Sequence, residues 1–258
     1  MKIAVTGKGG VGKTTLAAVL ARLYAKEGTV LAADVDPDAN LGLALGFSAE
    51  ELESLVPISH LRDLIAERTG ADSSGFGRFF KINPRVDDIP DNFAITKNGV
   101  KLLVLGTVET AGTGCVCPEH VVLKRLISHL VLRSNEVIIM DMEAGLEHLG
   151  RGTAEGFDRF IVVVEPGARS LQTYRQVRSL AVEMGVENVS VVASKIRTDE
   201  DEDFILSNIP AQDFLGFVHW SDEITTADRL GGSTYDLCPS AVAEIEQIKA
   251  KIDAEAKL

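Results

Sequence analysis

The sequence predicts a doubly wound α/β fold, a mostly parallel sheet flanked on both faces by helices. Short continuous runs of Val, Ile and Leu alternate along the chain with stretches of helical spacing. The first run also ends in a glycine-rich turn that opens directly into a helical stretch. Continuous apolar runs suit parallel strands covered on both faces, and strand–helix alternation suits one such sheet.

The predicted strands are Lys2–Thr6, Val30–Val35, Val100–Leu105, Glu136–Met142, Phe160–Val164, Val189–Ala193 and Phe214–Val218. Helical spacing covers Thr14–Lys26, Val121–Leu132, Leu171–Met184 and Ala241–Ala256. The stretch from Ser48 to Gly99 breaks this rhythm with a Ser/Gly-rich loop and a polar, proline-punctuated segment over residues 83–90. It reads as an insertion, at about 48–99, in a single domain spanning 1–258.

A chain of 258 residues is long enough to bury a sizeable core. Its net charge of −12 disfavours nucleic acid and anionic lipid as partners. No apolar run approaches the length of a membrane span, and no signal-peptide pattern precedes the first strand. Three cysteines do not make a disulfide framework, so a reducing, cytoplasmic setting is expected.

Residues 7–14, Gly-Lys-Gly-Gly-Val-Gly-Lys-Thr, fit the G-x-x-x-x-G-K-[ST] phosphate loop. Backbone N–H groups at Gly9, Gly10, Val11 and Gly12 are expected to cradle the phosphates of ATP or ADP. The following helix contributes its N-terminal dipole. Lys13 is expected to reach the β- and γ-phosphates, Thr14 to place its hydroxyl on Mg²⁺, and Thr15 to complete the nucleotide-binding set. With Lys8 the loop resembles the deviant Walker A motif of the MinD, ParA and nitrogenase-iron-protein class. That resemblance implies that Lys8 contacts nucleotide on a partner subunit, in a nucleotide-controlled homodimer.

The second strand runs into Asp34-Val35-Asp36-Pro37-Asp38. Acidic groups at the carboxyl end of a parallel strand face the ligand crevice. Asp36 matches the position that orients the attacking water in that class, and Asp34 and Asp38 are less clearly placed. Residues 136–141 form a Walker B pattern, an apolar strand ending in Asp141, which is suited to a Mg²⁺-bound water. The loop that follows carries Glu143, Glu147, His148 and Arg151 among glycines, a switch able to couple nucleotide state to a partner.

Cys115-Val116-Cys117 places two thiols on one side of an extended segment. Two thiolates are too few for a closed tetrahedral site, but two copies of the chain would supply four. Soft thiolates suit Zn²⁺, Cu⁺, Ni²⁺ or an iron–sulfur centre. His120 is a possible extra ligand. Cys238, alone before Pro239, reads as structural, and Trp220 either packs near a nucleotide base or serves packing alone.

The phosphate loop, residues 34–41, residues 80–84, the Cys-x-Cys pair and residues 141–153 together resemble CooC-type ATPases, accessory proteins in the maturation of nickel carbon monoxide dehydrogenase. The resemblance implies a homodimer that binds Ni²⁺ or Zn²⁺ through Cys115 and Cys117 in a shared site. It also implies that ATP hydrolysis is coupled to nickel delivery, with carbon monoxide dehydrogenase as client. Relatives often carry Asn-Lys after the strand that reads the adenine, where this chain departs with Ser194-Lys195. Ser194 can still donate or accept a hydrogen bond, and the two residues are expected among the nucleotide contacts.

Three other readings compete. An iron–sulfur carrier typically has Cys-x-x-Cys. A MinD- or ParA-like positioning protein that binds membrane ends in a basic amphipathic helix, whereas residues 244–253 have mixed charge. A nitrogenase-like electron donor has its paired cysteines far apart.

Overall fold

A computed structural model of the protein describes residues 1–36, 38–71, 80–106, 117–133, 136–143, 149 and 151–256, without the side chains of Arg133 and Arg151. The sheet strands are β1 (Lys2–Gly7), β2 (Val30–Val35), β3 (Ile95–Lys97), β4 (Val100–Val104), β5 (Val137–Met142), β6 (Arg159–Val164), β7 (Val189–Ile196) and β8 (Phe214–His219). Their spatial order is β3-β4-β2-β5-β1-β6-β7-β8. Every neighbouring pair is parallel except β3–β4.

The longer helices are α1 (Lys13–Tyr24), α2 (Arg62–Thr69), α3 (Pro118–Arg133), α4 (Ala168–Glu183), α5 (Asp199–Asn208), α6 (Asp222–Arg229) and α7 (Pro239–Glu255). Successive strand residues point to opposite faces and feed two separate cores. Ala4, Leu31, Ala33, Met140 and Val162 pack beneath α3 and α4. Ile3, Val5, Ala32, Ile139, Ile161 and Val163 pack beneath α1 and α7. This two-sided burial is why the strands read as largely apolar runs and not as apolar–polar alternation.

After β1 the chain moves outward through β2 and β4. It returns at β5 and then builds away on the other side through β6, β7 and β8. The strand order therefore reverses around β1, and the crevice beyond the carboxyl ends of β1 and its neighbours is where such folds bind ligands.

The segment between β2 and β4 holds α2, the short helices Ala49–Glu53 and Ile89–Phe93, and β3. The sequence reading did not anticipate β3. It is three residues long and pairs antiparallel with β4 through Ile95↔Leu102 and Lys97↔Val100, capping that edge of the sheet.

At the opposite edge His219 ties β8 to two helices. Its Nδ1 is 2.7 Å from Glu244 Oε1 of α7, and its Nε2 is 3.1 Å from Glu202 Oε1 of α5. Partial burial pulls the imidazole pKa down, but the hydrogen bonds and charges of Glu202 and Glu244 outweigh this and raise it above its ordinary 6.5. A raised folded pKa contributes stability that is present below about pH 6.5 and lost as pH rises through the folded value. His219→Gln is accordingly expected to lower the thermal midpoint at pH 6 and leave it unchanged at pH 9. The ring is half-exposed, so the effect stays below about 1 kcal/mol. Equal losses at both pH values would show that packing, not charge, holds this corner.

Candidate nucleotide site

The loop between β1 and α1 is shaped by three glycines. Gly7 has φ +146°, and a Cβ there would run into the carbonyl oxygen of Val163 on β6. Gly10 and Gly12 have φ +77° and +96°. Gly12 heads α1 in the left-handed region, and Leu16 N–H closes the first turn on its carbonyl at 3.1 Å. α1 has no acidic residue in its first turn, so its dipole meets the loop uncompensated, as anion binding requires.

Four side chains converge beside this loop. Thr14 Oγ1 donates to Asp141 Oδ2 at 2.6 Å, which joins the first turn of α1 to the end of β5. Lys13 is buried, and its Nζ is 3.9 Å from Asp36 Oδ2. Asp141 is buried, and its Oδ1 has no hydrogen-bond partner among the described residues. Burial, joined by the nearby Asp34 carboxylate, raises the Asp141 pKa to about 7 against the Thr14 hydrogen bond.

An orphaned carboxylate oxygen beside a threonine hydroxyl fits a divalent cation, so Thr14 and Asp141 suit Mg²⁺. Among the described residues no group of three or more His, Cys, Asp or Glu side chains could hold a metal unaided. That also fits Mg²⁺, which commonly takes few protein ligands and relies on substrate phosphates and water.

The acidic residues after β2 separate into two roles. Asp34 is fully buried and accepts the backbone N–H groups of Asp36 at 3.1 Å and Leu41 at 2.9 Å. Burial raises its pKa to about 6, against those two hydrogen bonds. Both its oxygens are committed to shaping the turn. Asp36 faces the cleft, with one oxygen toward Lys13 and the other accepting Asp38 N–H at 3.1 Å. Asp38 is exposed, and Pro37 lies outside the described residues.

The cleft continues from the loop along the ends of β7 and β8. It encloses about 650 Å³ and is lined by Gly9 to Leu16, Asp36, Ser194, Lys195, Val218 and Trp220, among others. Ser194 Oγ donates to the carbonyl of Val11, so its hydroxyl braces the phosphate loop. Lys195 sits at φ +59°, where the β7–β8 register shifts. Trp220 lines the far end of the cleft, with the Arg197 guanidinium 3.8 Å over its ring. Lys8 points to Glu165, which the sequence reading missed. The two are 3.9 Å apart, and Lys195 Nζ is 3.8 Å from the other oxygen of Glu165. Glu165 carries the same signal as Asp36, an acidic residue just past the end of a parallel strand.

Cys117 immediately precedes α3, and its carbonyl accepts Val121 N–H at 3.2 Å. Its thiol is half-buried, and desolvation raises its pKa despite a backbone N–H from His120, itself in the first turn of α3. Cys115 lies outside the described residues, as do Glu147 and His148 of the switch loop. Glu143, at the start of that loop, accepts Thr6 Oγ1 at 2.8 Å through its carbonyl. Arg151 opens the short helix Arg151–Ala154. Cys238 is fully buried at the head of α7. No helix among the described residues is long and apolar enough to cross a membrane.

A glycine-shaped phosphate loop at the switch point of a mostly parallel sheet, beside a Thr–Asp pair and a buried lysine, defines a P-loop nucleotide-binding protein. The chain belongs to the CobQ/CobB/MinD/ParA nucleotide binding domain family, whose sequence profile matches residues 2–233. It is 49% identical over 241 residues to the carbon monoxide dehydrogenase accessory protein CooC of Rhodospirillum rubrum, covering 93% of this chain and 91% of that protein. It is also 44% identical to an uncharacterised ATP-binding protein of Methanocaldococcus jannaschii, covering 96% of each. Among solved structures it shares the fold of the MinD cell division protein of Aquifex aeolicus, with a TM-score of 0.65 and 21% identity over 98% of this chain and 97% of that one. A putative plasmid partition protein of Borrelia burgdorferi bound to AMPPNP superposes with a TM-score of 0.68 and 17% identity, covering 98% of this chain and 99% of that one.

Proposed function

We propose that the whole chain, 1–258, acts as one ATP-hydrolysing domain that dimerises with nucleotide and metal and supports nickel insertion into carbon monoxide dehydrogenase. The observation that carries this reading is the 49% identity, over nearly the full length of both chains, to a carbon monoxide dehydrogenase accessory protein. The convergence of Lys13, Thr14, Asp36 and Asp141 at the loop supports the ATPase part.

In this mechanism the backbone of Gly9 to Gly12 and the first turn of α1 hold the β- and γ-phosphates of ATP. Thr15, Ser194 and Lys195 complete the nucleotide contacts, Ser194 by fixing the loop from below. Lys13 places its ammonium against the charge that develops on the γ-phosphoryl group. Mg²⁺ held through Thr14 and Asp141 would neutralise phosphate charge. Asp36 orients a water in line with the γ-phosphorus. The new P–O bond forms to that water as the bond to the bridging oxygen of ADP breaks. Lys8 reaches nucleotide on the second protomer. Cys115 and Cys117 of both protomers take Ni²⁺ or Zn²⁺ as cargo, and the reducing cytoplasm keeps these thiols competent.

Asp36→Ala is expected to retain ATP affinity and lower kcat about 10²-fold, since it removes a water-orienting group and no main phosphate contact. Turnover at the parent rate would remove Asp36 from this role. The reading as a whole is tested by purifying the protein anaerobically with and without ATP and measuring metal content against oligomeric state. A dimer carrying Ni²⁺ or Zn²⁺, without iron or acid-labile sulfide, is expected. An iron–sulfur chromophore would replace this reading with a cluster carrier.

A further inference from the structure

Glu165 follows the last residue of β6, the strand that flanks β1, and its two carboxylate oxygens face two different lysines. Lys8 Nζ is 3.9 Å from Oε1 and Lys195 Nζ is 3.8 Å from Oε2. The carboxylate is fixed at its base, because Glu165 N–H donates at 3.0 Å to the hydroxyl of Ser170, which is buried in the first turn of α4.

Lys195 comes to the same carboxylate by a strained route. It is a non-glycine residue at φ +59°, at the point where the pairing of β7 with β8 slips. Left-handed backbone at a residue with a long side chain is uncommon and persists where the surroundings impose it. A register slip re-aims the side chain it carries. Here the result is a second ammonium on a carboxylate that already faces Lys8.

Neither ion pair is within hydrogen-bonding distance, and all three side chains are partly exposed, so each contact is loose. A polyphosphate is a stronger anion than a single carboxylate and can draw Lys8 away. One lysine can leave without stranding the negative charge, because the other remains. We propose that Glu165 is a positioning residue that holds Lys8 within its own protomer until nucleotide on a second copy of the chain draws it off, with Lys195 then neutralising the carboxylate. This rests on the reading of Lys8 as a contact across a nucleotide-dependent dimer.

The test is sedimentation equilibrium of the full chain with Mg²⁺ and AMPPNP. Glu165→Gln removes the competing charge and keeps the shape, so it should tighten the dimer by about threefold to tenfold. In a Lys8→Ala background the same substitution should change nothing, an interaction that a merely structural role for Glu165 would not produce. Glu165→Ala should act in the same direction as Glu165→Gln and serves if the glutamine variant folds poorly. A parent dimer whose constant is unmoved by either substitution, or moved equally with and without Lys8, overturns the proposal alone. A parent that stays monomeric with AMPPNP overturns the dimer reading beneath it as well.

Discussion

Lys13→Ala is expected to reduce ATP turnover by about 10²–10³-fold or more, the range seen when a group aimed at developing transition-state charge is removed. The structure gives two reasons to expect the upper part of that range. Lys13 is only 6% exposed, so its charge acts in a poorly screened setting. It is also the cation facing Asp36, at 3.9 Å, with Asp141 close behind. Removing it leaves two carboxylates beside the site of a polyphosphate, so binding should weaken together with turnover. Alanine is a good helix former at the first position of α1, and the loop glycines are untouched, so the fold should survive. Phosphate release at saturating Mg²⁺ and ATP, with calorimetric nucleotide binding on the same preparation, checks this. A variant that folds and hydrolyses within a few-fold of the parent would remove Lys13 from the phosphate-binding role.

What the sequence made legible follows from how each element is buried. β1, β2 and β6 are covered on both faces and buried along their whole length, so their centres appear as short apolar runs without polar alternation. α5 and α6 were missed because few of their residues are buried, Ile205 in one and Ala227 in the other. Their signals were at their starts. Thr198 and Asp201 form a reciprocal capping box ahead of an acidic first turn, and Ser221 caps α6 by accepting Glu223 N–H. β3 is too short to show a period, and tertiary pairing with β4 makes it a strand.

The candidate site was legible where chemistry sits on a motif, as at Gly7 to Thr14 and Asp141. It was less legible where roles depend on geometry. Asp34 and Asp36 are both acidic residues at the end of β2, and only the structure shows that the backbone N–H groups of Asp36 and Leu41 occupy the first while the second faces Lys13. Ser194 is expected near the nucleotide from its place just past the apolar run Val189–Ala193, and the structure adds that its hydroxyl donates to the carbonyl of Val11 in the loop. Glu165 carried the same strand-end signal as Asp36 but belonged to no motif.

Cys115→Ser and Cys117→Ser, each alone, are expected to abolish metal-induced dimerisation while leaving ATP binding intact. Each protomer brings two thiols in this reading, so a closed four-thiolate site needs both copies, and about one metal per dimer is expected in the parent. One serine per chain leaves that site two thiolates short. Cys117 lies at the head of α3, whereas the phosphate contacts come from the loop after β1 and the first turn of α1, so nucleotide binding draws on different elements. Desolvation raises the Cys117 thiol pKa, so thiolate must be formed at a cost that falls as pH rises. Metal affinity should therefore strengthen with pH toward the thiol range, more steeply than a site built on carboxylates would. The choice between ions carries a geometric consequence, since nickel with such ligands favours a square plane and zinc a tetrahedron. In this reading, closure of the dimer around ATP would twist the two thiol pairs from one arrangement toward the other and so couple hydrolysis to the state of the metal site. Metal stoichiometry against oligomeric state, measured for the parent and both serine variants across pH, decides the matter. A single metal held tightly by a monomeric serine variant would rule out the shared site.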